Sequence, residues 1–240
     1  PSGERYRYGG AYQNGASSTI YQANMRFLSC RFESNHVEGL GGAVALQLME
    51  SNTIIENCTF ANNEATGDLG YGGAIYIEPK NGDSSGHYTI RNCTFKDNEG
   101  KEGAAIYVTE TSNTENILTI DSCTFVDNGK IGQNQIYSTF YSFEFISTTV
   151  NYSSSASISS DSESYSILLT STTFRMIHIF DCNFLYNSKE SGKGGFLSIN
   201  QPAAYLPNDF KFSNLLFDGG NDFVALQIDL SSYETFLSEN

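Results

Sequence analysis

The chain has 240 residues, with 13 Lys and Arg against 27 Asp and Glu, for a formal charge of −14. The length suffices for one sizeable core. The charge disfavours nucleic acid and anionic membrane surfaces as partners, since both are held by clustered basic residues, and no apolar stretch approaches the roughly 18 residues of a membrane span.

In chain order, residues 1–29 read as a weak first coil of a repeat. Gly9-Gly10-Ala11 forms a glycine corner and Met25 to Cys30 carries a bend. Residues 30–128 repeat this unit most cleanly. Their first strands are Ala45 to Leu48, Ala74 to Ile77 and Ala105 to Val108, each after a glycine corner. Each is followed by a segment such as Thr89-Ile90-Arg91-Asn92-Cys93-Thr94-Phe95-Lys96-Asp97-Asn98. Residues 129–176 read as an irregular coil, with eight serines in the twelve residues Ser153 to Ser164, a solvated or glycosylated loop. Residues 177–240 hold the last coils and a C-terminal tail. The insertions Lys80 to Gly86 and Glu110 to Asn116 should project as loops.

The period sets the fold. Cys30, Cys58, Cys93 and Cys123 are separated by 28, 35 and 30 residues, and Cys182 follows after 59, two steps with one degenerate copy between. In that copy Thr148 takes the cysteine column and Val150 the phenylalanine column. No unit has the apolar period of a helix, the leucine spacing of a leucine-rich repeat or the length of a propeller blade. The expected fold is all-β: one right-handed parallel β-helix spanning 1–240, with about seven coils of roughly 30 residues.

Residue parity supports this reading. Ile90 cannot share a face with Cys93 and Phe95 in an unbroken strand. A bend at Asn92 removes the conflict, and the same column reads Ser29, Asn57, Asn92, Ser122 and Asp181, all turn formers. A second column, Asn35, Asn63, Asn98, Asn128 and Asn187, can pair amide to amide between coils. Phe32, Phe60, Phe95, Phe125, Phe184 and Phe217 should stack in the core. The five cysteines Cys30, Cys58, Cys93, Cys123 and Cys182 share one column and read as a ladder of free thiols acting as small hydrophobes. Their odd number and parallel Cβ vectors argue against a disulfide framework.

The runs Gly42-Ala43-Val44 and Gly73-Ala74-Ile75, paired with Phe32 to Asn35, Phe60 to Asn63, Phe95 to Asn98, Phe125 to Asn128 and Phe184 to Asn187, resemble the repeats of the chlamydial polymorphic outer-membrane proteins and of related protist surface proteins. The resemblance covers about residues 8 to 230. It implies a β-helical, surface-displayed, adhesin-like module and carries over no catalytic residue. The bacterial family follows this region with a translocating barrel that this sequence lacks. The expectation is therefore a processed piece or a eukaryotic relative, which agrees with a chain starting at Pro1 without a leader.

Neither end shows an obvious cap, although Tyr6 and Tyr8, or Tyr233 and Phe236, could fold over. An open solenoid end exposes strand edges, so end-to-end self-association into a filament is expected.

For chemistry, the outward positions of the first sheet read Gln47, Tyr76, Tyr107, Ser198 and Gln227, with Tyr137 and Tyr141 extending the tyrosines. Such a stripe offers a binding face for glycans or a cell-surface protein, or ordinary cross-strand stabilisation. Glu50, Glu78 and Glu110 lie just past the strand ends, the weak candidate for calcium or catalysis against a solvated acidic rim. His36, a loop His87 and a strand His178 share no site. Asn57, Asn92 and Asn151 begin N-x-S/T sequons, with Asn151 the best placed for a glycan. The functional expectation is a non-enzymatic extracellular structural or adhesive module without cofactors. A carbohydrate-active β-helix enzyme and an intracellular scaffold are the alternatives.

Overall fold

A computed structural model describes residues 7–13, 24–49, 52–79, 86–109, 116–129, 134–140, 142–152, 164–170, 175–186, 194–200, 209–218 and 224–229. Asn187, Tyr141, Glu50, Glu110 and the terminal aromatics Tyr6, Tyr233 and Phe236 lie outside these residues, as do loop residues 80–85, 110–115 and 153–163.

Strands stack in parallel, each pairing with its equivalents in the coils before and after. One sheet has eight strands and two have seven, with a short three-stranded sheet at the N-terminal side. In the eight-stranded sheet Val44, Ile75, Ile106, Ile136, Ile167, Leu197 and Leu226 form one register column. The second sheet aligns Phe27, Ile55, Ile90, Ile120, Phe145, Ile179 and Phe212. The third aligns Phe32, Phe60, Phe95, Phe125, Val150, Phe184 and Phe217. These columns meet in one core, in which Phe60 and Phe95 stack at 4.9 Å and Phe95 and Phe125 at 4.7 Å. Each such pair adds about 0.5–1.5 kcal/mol beyond the area it buries.

Corners explain how short strands close a coil. Ser29, Asn57, Asn92, Ser122, Ser147, Asp181 and Asn214 all have φ between 47° and 55°. A second left-handed column contains Ser34, Asn62, Asp97 and Asp127, one residue before the asparagines expected to turn there. The reason is burial: Asn63, Asn98 and Asn128 point inward and are at most 1 % exposed, so the exposed residue ahead of each takes the turn. Gly9, Gly41, Gly72 and Gly103 make the third corner. At Gly72, with φ +69°, a Cβ would abut the Ile75 carbonyl, so only glycine turns there without strain.

The inward asparagines form the expected ladder over the described coils. Nδ2 of Asn35, Asn63 and Asn98 donates to Oδ1 of the next asparagine at 2.8, 2.8 and 2.7 Å. Asn128 ends it differently, donating to Gln135 Oε1 at 2.9 Å within its own coil. The five cysteines are free thiols, four of them buried and Cys30 half-buried. Thr148 stands in their column, its Oγ1 accepting from the Cys123 N–H at 3.1 Å.

Three expectations change. Within residues 129–176 the described segments are regular: Ile136–Ser138, Ser142–Ile146, Thr149–Tyr152 and Ser164–Thr170 keep the sheet register, while the serine-rich stretch 153–163 lies outside the described residues. Their inward residues Ile136, Phe143, Phe145, Val150, Ile167 and Leu169 are wholly buried, which holds the columns despite the lost cysteine. His87 opens the strand His87–Arg91 rather than sitting in a loop. Asn151 lies inside the strand Thr149–Tyr152, paired in register with Val126 and Leu185, and its Oδ1 is buried. Asn57 and Asn92, exposed at the bend, are the accessible sequon asparagines.

Candidate functional site

The outer face of the eight-stranded sheet carries the tyrosines. Ala45, Tyr76, Tyr107, Tyr137, Leu168, Ser198 and Gln227 make one column. Gln47 does not belong to it, because it pairs in register with Glu78. Stacking follows from the coil spacing, since parallel neighbours about 4.8 Å apart bring flat rings face to face. Tyr107 stacks on Tyr137 at 4.7 Å and on Tyr71 at 4.7 Å, and Tyr76 lies 5.7 Å from Tyr107 with an interplanar angle of 7°. The ring faces are thus occupied by one another, and edges and hydroxyls are what a ligand meets.

This face is not the open stripe that strand alternation suggests. Tyr76 and Gln47 are each only 5 % exposed. The cover comes from the segment between Asn63 and Ala74, which runs eleven residues; the same stretch takes eight from Asn35 to Ala43 and seven from Asn98 to Ala105. Aligning Glu38-Gly39-Leu40-Gly41-Gly42 with Thr66-Gly67-Tyr71-Gly72-Gly73 leaves Asp68-Leu69-Gly70 as the insertion. It folds back tightly, with Gly70 N–H donating to Gly67 O at 3.1 Å. Lys101 fastens it from the next coil: its Nζ donates to Asp68 O at 3.0 Å and lies 5.8 Å above the Tyr71 ring.

The result is a cleft of about 290 Å³ lined by Leu40, Leu69, Tyr71, Tyr76, Tyr107, Gln47, Glu78 and Thr109. That is near the lower bound of small-molecule sites, about 300 Å³. Glu78 is its polar centre. One carboxylate oxygen, Oε2, accepts from Gln47 Nε2 at 3.0 Å and from Tyr76 OH at 3.2 Å. Burial, then Tyr137 and Glu102, push the Tyr107 hydroxyl well above the usual tyrosine range. Burial, then Glu102 and Tyr71, raise Tyr137 as well. Both phenols stay protonated and can donate.

Of the residues singled out from sequence, Tyr76, Tyr107, Gln47 and Glu78 come together here, while Gln227 sits far along the same sheet. Leu40, Leu69, Tyr71 and Thr109 were missed. The signal that could have found the first three is the uneven Asn-to-Ala spacing. Among the described residues no group of three or more His, Cys, Asp and Glu is arranged to hold a metal ion.

Two of the three histidines face carboxylates. His36 Nδ1 lies 2.9 Å from Glu64 Oε2. His178 Nε2 lies 2.8 Å from Asp209 Oδ2, its Nδ1 lies 3.7 Å from Glu144, and Asp209 also pairs with Lys211 at 2.7 Å. With both ring nitrogens of His178 facing carboxylates, the imidazole is a cross-strand strut on the second sheet.

The sequence model of a family described as the right handed beta helix region matches residues 6–150. No curated protein and no solved structure matches the chain.

Proposed function

The chain belongs to the right-handed β-helix family, and on that premise we propose that it is a non-enzymatic structural and adhesive module of the cell exterior that holds a glycan in its tyrosine-lined cleft. The observation that carries this reading is the insertion Asp68-Leu69-Gly70, which departs from the repeat and supplies one wall of the tyrosine-lined cleft on the outer face.

Against turnover stands the chemistry of the lining. Glycoside hydrolysis needs two carboxyl groups about 5–9.5 Å apart. Among the described residues lining the cleft Glu78 is the only carboxylate, and its Oε2 is engaged by Gln47 and Tyr76. Surface display is supported by the likeness of the Gly-Gly-Ala-Ile and Phe-x-x-Asn repeats to those of chlamydial polymorphic outer-membrane proteins. End-to-end self-association belongs to the same reading. Phe27 and Phe32 at one end of the described stack, and Phe212 and Phe217 at the other, are only partly buried, while their columns between are closed.

The test is retention on a panel of immobilised polysaccharides, with release of reducing or unsaturated ends measured on the same samples. Wild type and a Leu69→Arg variant, which fills the cleft from an exposed loop, are compared. Retention without release, lost in the variant, is the expected result. Sugar release would make the protein an enzyme, and retention unchanged in the variant would remove the cleft from the function.

A further inference from the structure

The cleft's electrostatics narrow the ligand further, on the reading that the cleft is a glycan site. Glu78 is a half-buried carboxylate whose two hydrogen-bond donors, Gln47 and Tyr76, are both neutral. Among the described residues no Lys, Arg or His lies within salt-bridge distance of it. Leu40 and Leu69 give the cleft apolar walls, and a low-dielectric wall strengthens the field of a charge beside it. Glu102, bridged in parallel to the cleft residue Tyr71, brings a second acidic side chain from the next coil. The protein as a whole carries −14, which draws cations toward it.

We propose that the cleft takes a protonated amino sugar, its ammonium on the Glu78 carboxylate and its ring hydroxyls on Tyr71, Tyr107 and Thr109. Each part of the ligand meets its complement. The cation meets a half-buried anion whose hydrogen-bond donors are neutral. The sugar hydroxyls meet phenol and threonine hydroxyls, which can both donate and accept. The volume admits one ring, so recognition is of a single sugar unit at a chain end or branch. A neutral or N-acetylated sugar of the same shape would leave Glu78 without a counter-charge and bind more weakly.

The experiment is a ligand-observed NMR titration of the whole chain with glucosamine, N-acetylglucosamine and glucose, at about pH 6, below the ordinary range for an amine. Wild type, Glu78→Gln and Leu69→Arg are compared, with thermal melting as the check on folding. The expectation is that glucosamine binds about tenfold more tightly than either neutral sugar. Glu78→Gln should remove that preference, and added salt should reduce it in wild type, as for any partly exposed charge pair. Leu69→Arg should abolish binding of all three. Equal affinity for glucosamine and glucose, lost in Leu69→Arg, overturns the amino-sugar assignment and leaves the glycan site standing. Binding that is the same in wild type and Leu69→Arg overturns both.

Discussion

Asn63 and Asn98 are joined twice at a single atom: the Asn63 side-chain Nδ2 and the Asn63 backbone N–H both donate to Asn98 Oδ1, at 2.8 and 3.0 Å. Asn98 Nδ2 in turn donates to Phe60 O and Asn128 Oδ1. One buried amide therefore satisfies four groups in the two flanking coils. Asn98→Ala leaves those donors and acceptors buried without it, and each such orphan costs about 1–3 kcal/mol. The variant should lose about 2–4 kcal/mol in denaturant unfolding, partial relaxation offsetting part of the sum. Asn98→Asp should lose more near neutral pH, because an ionised carboxylate faces Phe60 O and Asn128 Oδ1 with no proton to offer. A loss below about 1 kcal/mol for Asn98→Ala would mean that the ladder merely follows the strand pairing.

The thiol column gives a chemical readout. Burial pushes the Cys58 and Cys182 thiols up to about 11. In the native protein near pH 8, iodoacetamide should modify Cys30, which is half-buried, and spare Cys58, Cys93, Cys123 and Cys182. Denaturant should expose all five. The sign of the linkage follows. With folded values above the unfolded value of about 8.5, the stabilisation is complete below that pH. It is lost as pH rises toward 11, because the unfolded chain releases those protons first. Melting temperature should fall across that window, and Cys182→Ser should flatten part of the fall.

How much of this was legible in the sequence depends on the length scale of the signal. The repeat made the columns visible, because Cys, Phe and Asn recur with small variations and Asn92 breaks the parity of its strand. The degenerate coil was half legible: Thr148 and Val150 sit where the columns demand. Residues 164–170 did not look like a strand because serine masked Ile167 and Leu169. The cleft was hidden for a different reason. Alternation along one strand says that Tyr76 faces away from the core, but it cannot say what folds over it. The cover is three residues in a corner, and its trace is a change in spacing rather than a motif. Gln47 stands beside Glu78 rather than Tyr76 because the Val44, Ile75 and Ile106 register, not the alternation within one strand, sets which residues are neighbours.

The outer strut on the second sheet predicts an acid response. Lys211, then His178, hold Asp209 below the usual carboxylate range. A carboxylate with a depressed folded value stabilises the fold above its unfolded value, about 3.9, and that contribution is lost as pH falls through the folded value. Asp209→Asn should lower the melting temperature near neutral pH and leave it closer to wild type in strong acid, where both are uncharged. A constant offset at every pH would assign the effect to packing, not charge. Because Asp209 is exposed, the change should be small and should shrink with added salt.

Deleting Asp68-Leu69-Gly70 separates the solenoid from its cleft. The deletion shortens the Asn63-to-Ala74 stretch to the length found between Asn35 and Ala43 and places Tyr71 where Leu40 stands, followed by the same Gly-Gly corner. Gly41 N–H already donates to Tyr71 O at 2.9 Å, so the two coils pair in this register and the shortened one needs no new geometry. The bonds lost are the Gly70-to-Gly67 turn, the Tyr71 N–H to Leu69 O bond, the Lys101 N–H to Gly70 O bond and the Lys101 anchor on Asp68. The variant should melt within a few degrees of wild type, since the shortened corner has the length of the one at Leu40 and a change in loop length costs little entropy. Gly72→Ala, by contrast, keeps every cleft residue but forces a side chain into the left-handed corner against Ile75 O, at a cost of about 1–3 kcal/mol. If the deletion leaves stability intact and removes ligand binding, while Gly72→Ala lowers stability, the insertion serves the site and the corner serves the fold. A deletion that unfolds the protein would show instead that the insertion is part of the coil's own packing.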